Sequence, residues 1–450
     1  MSPSIRVLVH FTFFYTCIEG LVVNILYPAK LPFIYKDLVL VVIYIGVLLP
    51  NLERVISPSP LSGRINDALA LFIGILLVYL IVPSPVNLLS ELVALKQRIF
   101  YTPLLVIAYF FIRSVDDLKW LIAAMAAYAI GVSLFGIFLF FAGPQGLQQF
   151  GAGYSAVFFT PTGPSDVTVW RVPGTFTSAG QYGSYLMANA LFIGGMLTLP
   201  RLEKWVRILG IVAVVALVLA MLASGSRAAI VLTTAGIALS VTASGRIGRG
   251  GVWALLLYGV LAYGFVVFGP GVQDRIGSIA SFEHLTRFER TYFGQLFLPS
   301  LFAAPLGSGL GLATIGARHF AELYQVVLVE SYLGILAVET GWPGLLAFVG
   351  VEAAIMMVIL RQFRLMAKSP FGFLWLAIAS YVTTTILILP VSTGIDHAPT
   401  NFYFWFAVGA VIRLVELEYW RLWDLRSTQE SEALRDQAVL AGAMPAHSHR

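Results

Sequence analysis

The chain reads as an all-α, polytopic membrane protein of about twelve transmembrane helices with a large loop on its outer face. Three observations carry that reading. Of its 450 residues, 58% are hydrophobic and only 11% charged; soluble domains run at about 45–50% and 25%, so a soluble enzyme of this size is excluded. The apolar residues lie in long continuous runs, each near the roughly 20 residues that cross a bilayer core, and not in segments of about ten residues alternating apolar and polar, which excludes an outer-membrane barrel. Basic residues gather in every second connection between runs, as the positive-inside rule requires.

In chain order the runs lie near 7–27, 33–50, 66–83, 99–112, 118–142, 179–199, 208–223, 227–243, 251–269, 343–360, 371–390 and 400–416. The first follows Arg6 and contains Glu19 and the single cysteine, Cys17; no small-residue cleavage site follows and the next run comes directly after, so it reads as a retained helix and not a signal peptide. A single cysteine excludes an intrachain disulfide. The basic connections are Arg54 and Arg64; Arg113 and Lys119; Arg201, Lys204 and Arg207; Arg246 and Arg249; and Arg361, Arg364 and Lys368. With Arg6 and the tail from Arg413 to Arg450, they place both termini in the cytoplasm. About 18 of the 28 basic residues then lie inside, so the net charge of +5 reflects topology and calls for no nucleic-acid partner.

This topology puts two long segments outside, roughly 143–178 and 270–329. Loops of that length in a compact protein are functional or disordered. The second is rich in Phe, Tyr, Leu and Gly, and its apolar spacing from Ser281 to Phe297 predicts a helix lying at the membrane surface. Residues 1–420 form the transmembrane unit and 421–450 a cytoplasmic tail. The tail predicts a short helix anchored by Trp420 and Trp423, then a disordered end. His447 and His449 lack further ligands nearby and do not read as a metal site.

From Gly143 onward every outward basic residue other than histidine is an arginine: Arg171, Arg227, Arg275, Arg287, Arg290 and Arg318. Solubility alone would use lysine as well, whereas a planar five-donor fork suits bidentate binding of phosphate. Some of these arginines can instead pair with Asp274, Glu283, Glu289 or Glu322 or touch anionic lipid headgroups; for Arg275, Arg287 and Arg290, with acids within a few residues, pairing and binding of phosphate are both open. Arg227 differs: it opens a helix after Ala223-Ser224-Gly225-Ser226 at the membrane boundary with no acid nearby in sequence, and an ionisable residue at that depth is a functional candidate. Arg171, in Trp170-Arg171-Val172-Pro173-Gly174-Thr175-Phe176, likewise has no adjacent acid.

The glycine loop Pro305-Leu306-Gly307-Ser308-Gly309-Leu310-Gly311 has no βαβ context and is not a dinucleotide fingerprint; it reads as a flexible turn that lets backbone approach a ligand or the membrane. Beyond it, Glu330 stands where the chain returns to the membrane. Glu339 lies nine residues on, about two and a half helical turns, so the two acids point to different sides and only one faces the outer cavity. Glu330 is the outward one, and a salt bridge to one of the arginines and a catalytic role are both open to it. Glu339 precedes the break Gly341-Trp342-Pro343-Gly344 and is expected to cap or hydrogen-bond in the interior.

These segments resemble the O-antigen ligase and polysaccharide polymerase (Wzy-like) membrane glycosyltransferases. The family pattern is His, then Asn, Ser or Gln, nine residues, Gly, two residues, then Gly, Thr or Tyr; here Glu330, Ser331, Gly341 and Gly344 stand at those places, and only the histidine differs. Arg171-Val-Pro-Gly-Thr-Phe is similar to the family's Arg-x-x-Gly-x-Phe, and Ser226-Arg227 to its Ser-Arg helix start. The resemblance implies a GT-C-like architecture in the bacterial inner membrane, with the active site facing the periplasm or exterior. It implies transfer of a glycan from a polyprenyl (undecaprenyl) pyrophosphate carrier to a sugar hydroxyl, with no cofactor and no metal. The partners it implies are the lipid-linked donor and acceptor, membrane lipids and a chain-length regulator.

On this reading arginines neutralise the departing pyrophosphate and Glu330 takes the place of the family's histidine as base. A glutamate, ordinarily near 4.3, is a weaker base than histidine near 6.5 unless burial lifts its pKa. The ligase branch is the one associated with the histidine, so the resemblance favours a polymerase building exopolysaccharide or O-antigen, with O-antigen ligase-type transfer as the alternative. His397 and Tyr332 are secondary candidates, and His284 and His319 are further outward histidines. The rival class is a transporter of lipid-linked or anionic sugars, which calls for mid-membrane polar residues and paired halves. Runs 208–223 and 251–269 carry no charge, and the halves show no symmetry, so the enzyme reading is preferred.

Overall fold

A backbone in hydrocarbon must satisfy its own hydrogen bonds, which leaves helices for a chain of this composition. In the computed structural model, residues 1–26, 31–53, 61–81, 84–150, 160–161, 168–169, 171–244, 297–314, 316–319, 327, 329 and 331–440 are described. They form helices α1 (Pro3–Ile25), α2 (Leu31–Leu48), α3 (Gly63–Tyr79), α4 (Leu88–Ile99), α5 (Leu104–Phe111), α6 (Val115–Gln148), α7 (Ala179–Met196), α8 (Lys204–Ser224), α9 (Arg227–Ser244), α10 (Leu298–Ala303), α11 (Tyr332–Met366), α12 (Gly372–Ile388) and α13 (Thr400–Leu440). The β structure among the described residues is one antiparallel pair of two-residue strands, with Thr160 opposite Val169.

Eight helices among the described residues are long and apolar enough to cross a membrane, α4 and α5 counting together as one. α9 is apolar but shorter. α3 and α7 match expected runs, yet α3 has only 17 residues and α7 carries Gln181, Ser184 and Asn189. The run near 251–269 and the surface helix expected over 281–297 lie outside the described residues, apart from Phe297.

α7 is the central helix. Its buried residues cover every side, from Tyr182 and Tyr185 to Ile193 and Met196, as an all-round buried helix requires; it packs against α6, α8, α9, α12 and α13. Small residues permit the close approaches by which membrane helices associate. A Cβ at Gly183 would overlap Ser226 Oγ, and one at Gly409 would overlap the Leu105 carbonyl. Aromatic edges close the core: Phe13 of α1 meets Phe402 at 4.7 Å and Phe406 at 4.9 Å, pairs worth about 0.5–1.5 kcal/mol each beyond burial.

Charged groups segregate to two ends of the bundle. At one, Arg6 binds Asp117 at 2.6 Å and the Phe111 carbonyl at 2.7 Å, Arg413 donates to Ile112 at 2.8 Å, and Lys119 meets Glu203 at 2.9 Å. Trp120 and Trp205 lie beside this end, rings 5.6 Å apart and exposed, as interfacial tryptophans do. At the other end, buried Lys36 binds Glu19 at 2.7 Å, and Tyr101 donates to Asp37 at 3.0 Å.

Three elements differ from the sequence reading. The run near 99–112 is the second half of a broken pair: Asn87 caps α4 by accepting from Ser90 N at 2.9 Å, and the chain breaks at 100–103 before α5. α4 buries Ala94 with Ser90, Glu91 and Arg98, and those three polar residues hide it from a search for apolar runs. The helix expected at the tail is continuous with the last span, because α13 runs unbroken from Thr400 to Leu440.

The third is α11, which begins well before the expected span and is not straight. Gly341 has φ 56° and ψ −151°. Sixteen residues of continuous helix would rise about 24 Å, yet the rings of Tyr332 and Phe348 are 5.0 Å apart. The chain therefore doubles back at Gly341, and 332–340 is a short re-entrant helix packed on the long arm that follows.

Candidate functional site

The turn 171–178 leads into α7 and is fastened to α1. Thr175 Oγ1 donates to the Cys17 carbonyl at 2.5 Å, Phe176 lies 5.1 Å from the Tyr185 ring, and a Cβ at Gly20 would run into Phe176 Cα. Gly174 turns the chain with φ 57°. Ser178 then caps α7, accepting from Gln181 N. These contacts fix the backbone from which Arg171 projects.

Arg227 is fixed from the other side of α7. α8 ends in a left-handed Gly225 at φ 58°, the usual helix stop, and buried Ser226 seats the start of α9 against Gly183. Two arginines distant in sequence are thus carried by elements that adjoin at the N-terminal end of α7. Arg171 has its pKa lowered from the ordinary arginine value, first by burial and then by the positive charge of Arg227. Arginine remains a cation at neutral pH regardless. Arg171 Nε is shut off from solvent and meets no acceptor among the described residues.

A second polar centre lies around the re-entrant helix. Arg98 and Glu339 form an ion pair with both side chains fully buried, Arg98 Nη2 to Glu339 Oε2. Glu339 Oε1 accepts from Ala313 N at 2.6 Å and Thr314 N at 2.7 Å, and Thr314 Oγ1 reaches Glu339 Oε2 at 3.2 Å. Arg98 also donates to Thr314 Oγ1 at 3.0 Å. Glu339 therefore sits in the interior, hydrogen-bonded, as expected for it.

The glycine loop allows close approach, but to the protein's own backbone. Ser308 N donates to Val338 O at 2.8 Å, Gly309 N to Glu339 O at 3.0 Å and Trp342 N to Pro305 O at 2.9 Å. A Cβ on Gly307 would lie 2.5 Å from Glu339 O. Tyr79 adds hydrogen bonds to Leu306 O at 2.5 Å and Thr340 O at 2.9 Å.

Of the remaining candidates, Tyr332 is buried, with its N–H on Ser392 O at 3.0 Å. His397 is partly buried, and Nδ1 is shielded with no hydrogen-bond partner among the described residues. Burial lowers its pKa to about 4, against a hydrogen bond to the Thr393 backbone that raises it; it is neutral at pH 7 and a weak proton acceptor. The preceding Asp396 is fully buried and close enough to act electrostatically on Arg98. Glu330, Arg275, Arg287 and Arg290 lie outside the described residues; Arg318 belongs to the 3-10 turn Gly316–His319 by its backbone alone. The sequence reading missed Arg98, whose signal was its place with Ser90 and Ala94 on one face of α4. Among the described residues no group of three or more His, Cys, Asp or Glu side chains is placed to hold a metal ion.

Compared with family models and with curated proteins, the chain matches none.

Proposed function

We propose that this protein is a polysaccharide polymerase: a membrane glycosyltransferase that moves a glycan from a polyprenyl-pyrophosphate carrier to a sugar hydroxyl of a lipid-linked repeat unit. One observation carries the proposal. A half-buried arginine whose shielded Nε meets no acceptor among the described residues, close enough to a second arginine to feel its charge, is an arrangement that an anion completes, and two guanidinium groups suit a pyrophosphate better than a single charge. The sequence resemblance gives that anion its identity.

On this reading α1, α2, α3, α4–α5, α6, α7, α8, α9, the run near 251–269, α11, α12 and α13 make twelve crossings in a GT-C-like arrangement. The end holding Arg6, Arg413 and Lys119 faces the cytoplasm, and the end holding Arg171 and Arg227 faces outward from the bacterial inner membrane. Support comes from the gathering of Arg6, Lys119 and Arg413 at one end.

The reaction breaks the bond between the anomeric carbon and the pyrophosphate oxygen and forms one from that carbon to the acceptor hydroxyl oxygen. The hydroxyl proton passes to Glu330, and the lipid pyrophosphate leaves with the bonding electron pair. Arg171 and Arg227 take the charge developing on that leaving group, with Arg275, Arg287, Arg290 and Arg318 as further phosphate contacts from the long loop. The test is reconstitution of the full chain in liposomes with a lipid-linked repeat unit. Lengthening of the glycan supports the polymerase, transfer to a different lipid acceptor would make it a ligase, and label crossing the bilayer without lengthening would make it a carrier.

A further inference from the structure

We propose that Arg98 and Glu339 are positioning residues: together they lock the re-entrant helix 332–340 to α4 and to the 313–314 segment after the glycine loop, and so set the place of Ser331, which follows the proposed base in the chain. The inference rests on the polymerase reading for what is positioned; the lock itself is geometric. One buried carboxylate takes up Arg98 of α4, the backbone N–H groups of Ala313 and Thr314, and the Thr314 hydroxyl. Three segments distant in sequence therefore share a single anchor.

The anchor sits at the far end of the re-entrant helix from Ser331, and the helix between them transmits its placement. Ser331 caps that helix by accepting from Gly334 N at 3.0 Å, and its hydroxyl reaches Leu389 O at 3.3 Å. Tyr332 N is held by Ser392 O. Both ends of the short helix are thus tied, one by Glu339 and one by the 389–392 segment. A buried carboxylate with four donors favours a fixed geometry, because losing any donor leaves a desolvated charge short of partners. Arg98 Nε and Nη1 are buried without acceptors, so Glu339 and Thr314 hold this guanidinium by Nη2 alone among the described residues. That makes it dependent on the carboxylate.

The test uses the full chain in lipid nanodiscs with the lipid-linked repeat unit as donor and acceptor, comparing wild type with Glu339→Gln, Thr314→Val and the double variant Arg98→Gln/Glu339→Gln. Hydrogen–deuterium exchange is read over 305–314 and 331–340, with α8 as internal reference. Glu339→Gln is expected to speed exchange at least tenfold in both segments while α8 is unchanged, and to lower kcat at least tenfold with the donor KM within twofold. Thr314→Val removes only a hydroxyl, folds where Glu339→Gln does not, and is expected to lower kcat about threefold. The double variant restores neutral pairing and is expected to recover part of the loss.

Unchanged exchange in both single variants would overturn the lock. Faster exchange with unchanged kcat would overturn its part in positioning. A wild-type protein that lengthens no glycan would sink the polymerase reading and the positioning of Glu330 with it, while the exchange data still decide the lock.

Discussion

Arg171 is half-buried and close enough to Arg227 to feel its positive charge, and its Nε meets no acceptor among the described residues. One arises from the turn before α7 and the other from the first residue of α9, and the wedge of Ser226 into Gly183 holds the two starting points together. Like charges set close repel each other, and a bound anion would offset that repulsion.

If that anion is a pyrophosphate bound by paired N–H groups, charge alone does not replace the fork. Arg171→Lys and Arg227→Lys are each expected to lower glycan lengthening at least tenfold in proteoliposomes at unchanged protein level. Activity within twofold of wild type in both lysine variants would remove the pair from the site.

Glu330 is the proposed base, and its carboxamide analogue preserves shape while removing the proton acceptor. General-base catalysis contributes roughly 100- to 10,000-fold, so Glu330→Gln should lose lengthening by at least 100-fold while inserting and folding normally. Full product from vesicles carrying that variant would transfer the base role elsewhere, with His397 the next residue to change.

Gly341 takes φ 56° and ψ −151°, a region essentially reserved for glycine, and a Cβ there would collide with Pro305 O. Gly341→Ala is expected to cost on the order of 3 kcal/mol, from backbone strain and displacement of the glycine loop. Gly350, on the long arm of the same helix, has open space within 4 Å of where a Cβ would stand, so Gly350→Ala should be neutral or raise stability by about 0.5–1 kcal/mol. Thermal unfolding in detergent, followed by size-exclusion chromatography, separates the two; equal melting would show that the reversal at Gly341 is not required.

The long helices were legible because one property, continuous apolarity, marks both a span and its sequence. Less legible was anything whose partner lies far along the chain. The break pattern Glu339-Thr340-Gly341-Trp342-Pro343-Gly344 announced a discontinuity, but that 332–340 folds back on Phe348 depends on tertiary contact. Arg98 escaped for the same reason: its neighbours in sequence, Gln97 and Ile99, say nothing of Glu339. Arg171 and Arg227 stood out because each lacks an acid nearby in sequence; their proximity to each other is a property of the packed bundle.

At the same end of the bundle Lys36 Nζ holds Glu19 through both oxygens, at 2.9 and 2.7 Å, and both residues are buried. Removing one partner leaves an uncompensated charge, at about 3–5 kcal/mol. Lys36→Met should therefore lower the melting temperature sharply, while the double variant Glu19→Leu/Lys36→Met should regain most of the loss. A double variant no more stable than Lys36→Met would show that packing around the pair, and not its charge, decides.

His397 makes stability depend on pH in a defined direction. Burial puts its folded pKa at about 4, below the ordinary 6.5. Between those values the unfolded chain binds the proton and the folded protein does not, so folding loses stability as pH falls through that window and is unaffected by this group above it. The difference corresponds to about 3 kcal/mol at most. His397→Gln removes the titration while keeping a polar side chain in the Gly394–Thr400 loop. Melting temperatures of wild type and His397→Gln should therefore run parallel from pH 7 to 8 and diverge below about pH 6, with wild type falling faster; curves that stay parallel down to pH 4 would show that the imidazole is open to solvent in the folded protein.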